Sequence, residues 1–114
     1  MVWTAGRWAS AGHRLIERRR YGAAGQAFDD AAKAFEAEVG RDHIWTAYAL
    51  SRQAWCYLQV GRSAEAVALS LEALTIVRNG RPDDQELISR FDALHKRALA
   101  RHQLPEEATT WLIP

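Results

Sequence analysis

Apolar residues recur along this chain three and four positions apart, in segments separated by short polar stretches that contain glycine or proline. This period places the apolar side chains of each segment on one face of an α-helix. Because the connections are short, consecutive helices are expected to pack antiparallel in pairs. The pattern predicts an all-α fold in one domain, 1–114, with helix pairs at about 4–38, 44–78 and 84–112.

The boundaries between the helices are predicted from glycine, proline and short polar residues. Tyr21-Gly22 is expected to end a first helix that runs to Arg20, and Gly40 and Gly61 are expected to end the second and third helices. The stretch 79–82, Asn-Gly-Arg-Pro, predicts the break before the fifth helix. A short last helix is expected over 106–112. The predicted N-caps are Asp42, Ser63, and either Asp83 or Asp84.

The helix pairs contain an internal repeat of small residues. Displacing the sequence by 39 positions aligns Ala27 with Ala66 and Ala34 with Ala73. Displacing it by 42 positions aligns Ala66 with Ala108. Where two helices cross closely, only a small side chain lets the backbones approach. The recurring alanines therefore predict the positions where neighbouring helices touch.

The segment 47–77 resembles the tetratricopeptide repeat family. In that family a large, a small and an aromatic residue on the first helix are followed by a glycine turn, an acidic residue with alanine at the helix crossing, and a second alanine with an aliphatic residue. The residues that match here are Leu50, Ala54, Tyr57, Gly61, Glu65, Ala66, Ala73 and Leu74. The long repeat spacing and the loop 40–43 are similar to the kinesin-light-chain variety of the family.

This resemblance implies a short right-handed solenoid of about two and a half repeats. The outer repeats depart from the family pattern, with Leu15 where a small residue is expected and Arg18 or Arg19 where an aromatic one is expected. In the third repeat Lys96 takes the place of the small residue and Gln103 that of the turn glycine. A stack of only two or three units has few neighbouring repeats to stabilise it.

The resemblance also implies a role as an adaptor or scaffold that binds a protein or peptide, rather than as an enzyme. The first helices of such pairs line a concave groove, which here is basic with an aromatic floor. Arginine forks and flat rings suit an extended, acidic peptide. The alternative is that these arginines form a solvated helix face. The predicted partner-binding residues are Arg20, Tyr48, Arg52, Trp55, Gln59, Arg90, Arg97 and Arg101.

Two other functions stay open at this point. Trp111, Leu112 and Ile113 form an apolar terminus that is a candidate surface for a homodimer, unless it packs within the chain. A pocket between the helices, lined by tryptophan and histidine, would instead favour a small-molecule enzyme or receptor. The carboxylate clamp known in the family is not predicted, because the single asparagine, Asn79, lies in a loop.

The sequence gives little support to catalysis or to a metal. Asp92, His95 and His102 share one helix face, but a zinc site would need further ligands and supporting contacts. No phosphate loop or catalytic motif is present, and no cofactor is predicted. Cys56 lies within a helix, where we expect it to be half-buried and to pack rather than to attack a substrate.

Charge and cysteine content exclude some partners and locations. The net charge of +1 gives no electrostatic case for nucleic acid or a membrane surface. One cysteine permits no disulfide within the chain, and no signal peptide or membrane-spanning stretch is evident. We therefore predict a cytoplasmic protein.

Overall fold

The computed structural model describes residues 3–103, with side chains from residue 4. Each helix packs against the next one along the chain, and the third also contacts the fifth. The predicted all-α stack of helix pairs is therefore confirmed, whereas the last predicted helix, 106–112, lies outside the described residues. The helices are α1 (Trp3–Glu17), α2 (Tyr21–Val39), α3 (Ile44–Gln59), α4 (Ser63–Gly80) and α5 (Gln85–Gln103).

Contacts between side chains show that α2 and α3 run antiparallel. The rings of Tyr21 and Trp55, from the start of α2 and the end of α3, have centroids 5.6 Å apart. At the other end of the same pair, Phe35 and Trp45 have ring centroids 6.0 Å apart. A hydrogen bond between Tyr48 of α3 and residue 13 of α1 links helices that are not consecutive. The first helices of the pairs, α1, α3 and α5, therefore form one layer of the stack, and α2 and α4 form the other.

Small residues dominate the interior of the stack. Ala31, Ala47 and Ala73, from three different helices, are fully buried in one cluster, and Phe35 and Val77 pack in the same cluster. Alanine at such positions brings the helix backbones close together, and the larger side chains fill the space beside the crossing. Of the recurring alanines predicted to lie at helix contacts, Ala66 and Ala73 are fully buried and Ala27 is buried, whereas Ala34 is only half-buried and Ala108 lies outside the described residues.

Two glycines lie where no side chain fits. A Cβ atom added to Gly12 of α1 would lie 2.6 Å from the ring of Phe28, and one added to Gly25 of α2 would lie 2.6 Å from the ring of Tyr57. Both rings are buried. Because real Cβ atoms do not approach a ring so closely, these glycines determine how near α1 lies to α2 and α2 to α3.

The two complete helix pairs are related by 42 positions, not by the predicted 39. Helices α2 and α4 begin at Tyr21 and Ser63, and α1 and α3 end at Glu17 and Gln59, which are both 42 apart. The same offset pairs buried residues of α2 with buried residues of α4. These pairs are Ala24 with Ala66, Phe28 with Ser70, Ala31 with Ala73, Ala32 with Leu74, and Phe35 with Val77.

This offset corrects the description of the first repeat. Gly12, not Leu15, corresponds to Ala54 and takes the place of the small residue. Leu15 then corresponds to Tyr57 and takes the aromatic place. An error of three positions is less than one helical turn, so the displaced pattern still placed apolar residues near the right face.

The turns that join the helices of each pair have the same geometry. Arg19 and Gly61 both have a positive φ, of 58° and 80°. In each turn the following amide donates to a carbonyl five residues earlier, Arg20 to Leu15 and Arg62 to Tyr57, both at 2.9 Å. This hydrogen bond closes the C-terminus of a helix. The prediction that the first helix runs to Arg20 and is ended by Tyr21-Gly22 was wrong, because Arg19 takes the left-handed position that glycine usually fills.

The predicted N-caps are correct only for α5. The carboxylate of Asp84 accepts a hydrogen bond from the amide of Leu87 at 3.1 Å. At α3 the cap is His43, not Asp42, and its Nδ1 accepts from the amide of Trp45 at 3.0 Å. Ser63 is the first residue of α4 rather than its cap, and α4 continues through the predicted break as far as Gly80.

Candidate peptide-binding groove

An open groove of about 400 Å³ lies between α3 and α5. On α3, Tyr48, Arg52 and Trp55 follow one another at intervals of four and three, so their side chains share one helix face. On α5, Arg90 and Arg97 are seven positions apart and share a face in the same way. We call this depression the α3–α5 groove. Its lining residues are Tyr48, Ser51, Arg52, Trp55, Leu87, Arg90, Phe91, Ala93, Leu94 and Arg97.

The floor of the α3–α5 groove is apolar and only partly covered. Tyr48 is 38% exposed, and Trp55 is half-buried with its ring against the edge of Tyr21. Leu87, Phe91, Leu94 and Ala98 follow one another along α5 at intervals of four and three, so they form its apolar stripe. Only Ala98 is buried, while the other three are half-buried and line the groove. These three side chains stay partly exposed because α5 is the last described helix and packs only against α4 and α3.

Arg52 lies against the aromatic floor with its charge uncompensated. Its guanidinium carbon is 5.2 Å from the centroid of the Trp55 ring, which is within the range of a cation–π contact. Its Nε is buried and has no hydrogen-bond partner among the described residues. Within that part of the chain Arg52 forms no salt bridge. Because Arg52 as a whole is only half-buried, a carboxylate in the groove would compensate its charge.

The arginines of α5 extend the positive charge towards the end of that helix. Arg90 is neutralised by Glu86, whose carboxylate lies 2.8 Å from its guanidinium. Arg97 and Arg101 form no salt bridge with any residue from 4 to 103. A second, smaller depression of about 120 Å³ adjoins the groove at Arg97. Its lining residues are Leu58, Gln59, Arg97 and Arg101.

The structure thus brings together seven of the eight predicted binding residues, and Arg20 is the exception. Arg20 is exposed in the turn between α1 and α2 and borders neither depression. It was placed in the groove because the first helix was expected to be one turn longer. The predicted self-association residues, Trp111, Leu112 and Ile113, lie outside the described residues.

His13 of α1 does not line the groove but contacts the groove residue Tyr48, a contact that the sequence did not predict. Its Nε2 and the hydroxyl of Tyr48 are hydrogen-bonded at 2.6 Å, and its ring lies edge-on to Phe28 with centroids 5.1 Å apart. Burial, together with the positive charge of Arg52, lowers the pKa of His13 below its usual 6.5, and Glu17 opposes this shift weakly. His13 lies 42 positions before Trp55, so the correct repeat offset would have identified it.

The remaining candidate chemistry is taken up by packing. Cys56 is fully buried rather than half-buried, and burial raises the pKa of its thiol to about 11, so the thiol stays protonated at neutral pH. His95 and His102 form hydrogen bonds with Ser70 and Ser63 of α4. No group of three or more histidine, cysteine or acidic residues that could hold a metal occurs within residues 4–103.

No helix within the described range is both long and apolar enough to cross a membrane.

Comparison with known proteins gives one match. The family model of the tetratricopeptide repeat matches residues 5–79, which is more than half of the chain and covers nearly all of the two complete helix pairs. Neither a curated protein nor a solved structure matches the chain. Repeats of this family generally mediate protein–protein interactions and typically act as non-enzymatic scaffolds. The family match and the stacked helix pairs agree, and the chain belongs to the tetratricopeptide repeat family.

Proposed function

We propose that the chain is an adaptor that binds an extended, acidic segment of a partner protein in the α3–α5 groove. One observation supports this proposal above the others. Arg52 and Arg97 border a partly exposed aromatic floor, Arg101 borders the adjoining smaller depression, and none of the three has a carboxylate partner among the described residues. Carboxylates of a ligand would neutralise them, because a guanidinium binds a carboxylate through two parallel hydrogen bonds.

The apolar floor would supply most of the affinity. Fully burying one large apolar side chain contributes about 1.5–3 kcal/mol, whereas an exposed ion pair contributes about 0.2–1 kcal/mol. Trp55 and Phe91, both half-buried, are therefore the expected anchors. The arginines would mainly set the preference for acidic ligands and speed up the encounter.

The length of the groove limits the size of the ligand. From Leu87 to Arg101 the two depressions follow α5 for roughly 21 Å, given a rise of 1.5 Å per helical residue. An extended peptide covers about 3.3 Å per residue, so roughly six residues would fill this length. The expected ligand is therefore a short linear segment rather than a folded domain.

The proposal is tested with a fluorescent peptide of glutamates around a central Trp-Leu pair, followed by fluorescence anisotropy. The double variant Arg97→Glu, Arg101→Glu should weaken binding by about a hundredfold, because two attractive contacts become repulsive. Both side chains are exposed, so circular dichroism should show an unchanged helix content. Binding by the unmodified chain should also weaken as salt is added.

The matched control is Lys33→Glu with Arg81→Glu, which changes the net charge by the same amount. Both residues are exposed and border neither depression of the groove. This control should bind the peptide nearly as well as the unmodified chain does. Equal losses in the two double variants would mean that net charge alone drives binding. Equal binding of a peptide with glutamine in place of glutamate would contradict the proposed preference for acidic ligands.

A further inference from the structure

The chemistry of the α3–α5 groove matches a segment of this same chain. The segment 104–114 contains Glu106 and Glu107 and no lysine, arginine or histidine. It also carries a contiguous apolar stretch, Trp111-Leu112-Ile113. Acidic residues followed by an aromatic anchor are the features that the groove is proposed to select. The segment is therefore a candidate occupant on grounds of charge and of apolar complementarity.

The position of α5 puts this segment beside the groove. Helix α5 ends at Gln103, two residues after Arg101 and six residues after Arg97. Both arginines border the smaller depression, and Arg97 also borders the larger one. A chain that leaves α5 at this point therefore begins next to the two arginines that lack a carboxylate partner within residues 4–103.

The segment is long enough to reach the far end of the groove. Eleven residues span at most about 36 Å when extended. The distance along α5 from Gln103 back to Leu87 is roughly 24 Å at 1.5 Å per residue. Pro105 disfavours a helical conformation at the residue before it, so the sequence does not favour simple continuation of α5.

We propose that residues 104–114 bind back into the α3–α5 groove of the same molecule and that a partner must displace them. The acidic pair lies at Arg97 and Arg101, and Trp111 lies on the apolar floor near Trp55. The proposal rests on the proposed function, because it names an occupant of the same acidic-peptide site. A tethered ligand has an effective concentration in the millimolar range, so a contact that is weak in solution still competes with a partner.

Competition is measured with the glutamate peptide of the first experiment, on the full-length chain. The triple variant Glu106→Gln, Glu107→Gln, Trp111→Ala should bind the peptide about tenfold more tightly, because the groove is no longer occupied. The matched control is Asp42→Asn with Asp83→Asn, which makes the same change in net charge at two exposed loop positions. This control should bind as the unmodified chain does.

The outcomes of this competition separate the two proposals. If the triple variant and the unmodified chain bind the peptide equally well, and Arg97→Glu with Arg101→Glu still abolishes binding, the internal occupant is excluded while the proposed function stands. If the peptide binds to neither protein, the proposed function fails, and the direct measurement below decides whether the segment occupies the groove.

The direct measurement places a nitroxide label on the segment by Thr109→Cys. Cys56 does not compete for the label, because it is fully buried and burial raises the pKa of its thiol to about 11. The nitroxide should broaden the indole N–H resonance of Trp55, which is assigned with Trp55→Phe. The indole of Trp45, which does not border the groove, is the internal control.

The same sample distinguishes a chain's own segment from that of a second copy. An isotope-labelled chain without nitroxide is mixed with an unlabelled chain that carries it. Broadening of the Trp55 signal in the chain that carries both labels, without broadening in the mixture, supports the proposal. Broadening in the mixture would assign the groove to the segment of a second copy and overturn the intramolecular version. If the Trp55 and Trp45 signals behave alike in both samples, the segment does not occupy the groove.

Discussion

The first and second repeats build the same helix pair from different residues. Phe28 stands where the second repeat has Ser70, and Gly12 stands where it has Ala54. All four residues are buried, and the Phe28 ring lies too close to Gly12 for any side chain there. A larger residue at one position is thus matched by a smaller residue at another. The two repeats therefore share close packing between their helices and a filled interior, but they reach both with different residues.

The largest effect on stability is expected when the Phe28 ring, which fills the space beside Gly12, is removed. Phe28→Ala should lower the free energy of unfolding by about 3–5 kcal/mol, because the ring is fully buried and its removal leaves a cavity. Urea unfolding followed by circular dichroism measures the change. Leu71→Ala, at a large apolar residue that is 47% exposed on α4, is the control and should stay within about 1 kcal/mol.

The substitution Gly12→Ala, made both in the unmodified chain and in the Phe28→Ala variant, completes a double-mutant cycle with Phe28→Ala. Alone, the added methyl group meets the Phe28 ring and should cost about 1–3 kcal/mol, partly offset by the better helix propensity of alanine, about 1 kcal/mol. In the Phe28→Ala background the cost should disappear. Gly6→Ala, with nothing within 4 Å of the added atom, should not be destabilising. Additive effects of the Gly12 and Phe28 substitutions would refute the close contact between them.

A smaller effect is expected at the turn between the helices of each repeat. Arg19→Gly should raise the free energy of unfolding by up to about 1 kcal/mol, because the left-handed conformation strains any residue with a Cβ atom. Gly61→Arg, the reverse exchange at the equivalent turn, should lower it by a similar amount. Thermal unfolding of both variants measures the two changes in stability. Shifts of the same sign would mean that the two turns differ in backbone conformation.

The smallest effect concerns His13, which stands where the second repeat has Trp55. Because burial and Arg52 lower the pKa of His13 in the folded state, the unfolded chain takes up a proton first as the pH falls below 6.5. Stability contributed by neutral His13 is therefore complete above pH 6.5 and is lost as the pH falls towards the lowered pKa. Urea unfolding between pH 8 and pH 5 should show a smaller decline for His13→Gln than for the unmodified chain.

If the free energy of unfolding depends on pH in the same way for His13→Gln and for the unmodified chain, neutral His13 contributes no stability. Since the acidic residues are common to both, their titration cancels in the comparison. The hydrogen bond between His13 and Tyr48 also connects the packed side of α1 to the groove. The same two proteins therefore serve to show whether peptide binding follows the protonation of His13.

Much of the groove was predictable because helical spacing fixes which residues share a face. The intervals between Tyr48, Arg52 and Trp55 put them on one face of α3, and the resemblance to the family turned that face towards the groove; the structure places the three together. Arg20 was misplaced because its assignment depended on where the first helix ends. That end is set by a turn with Arg19 in the left-handed conformation, and arginine gives no local signal for such a turn.

The sequence by itself determined the helical fold, the spans of most helices and the family, because apolar periodicity and glycine turns are local properties of the chain. The tertiary structure alone decided the repeat offset, the pairing of Gly12 with Phe28, and the partial exposure of Leu87, Phe91 and Leu94. Offsets of 39 and 42 both align small with small residues, since they differ by less than one helical turn. The observed ends of the helices and the packing of Phe28 against Gly12 distinguish them, because a ring and a methyl group cannot occupy the same volume.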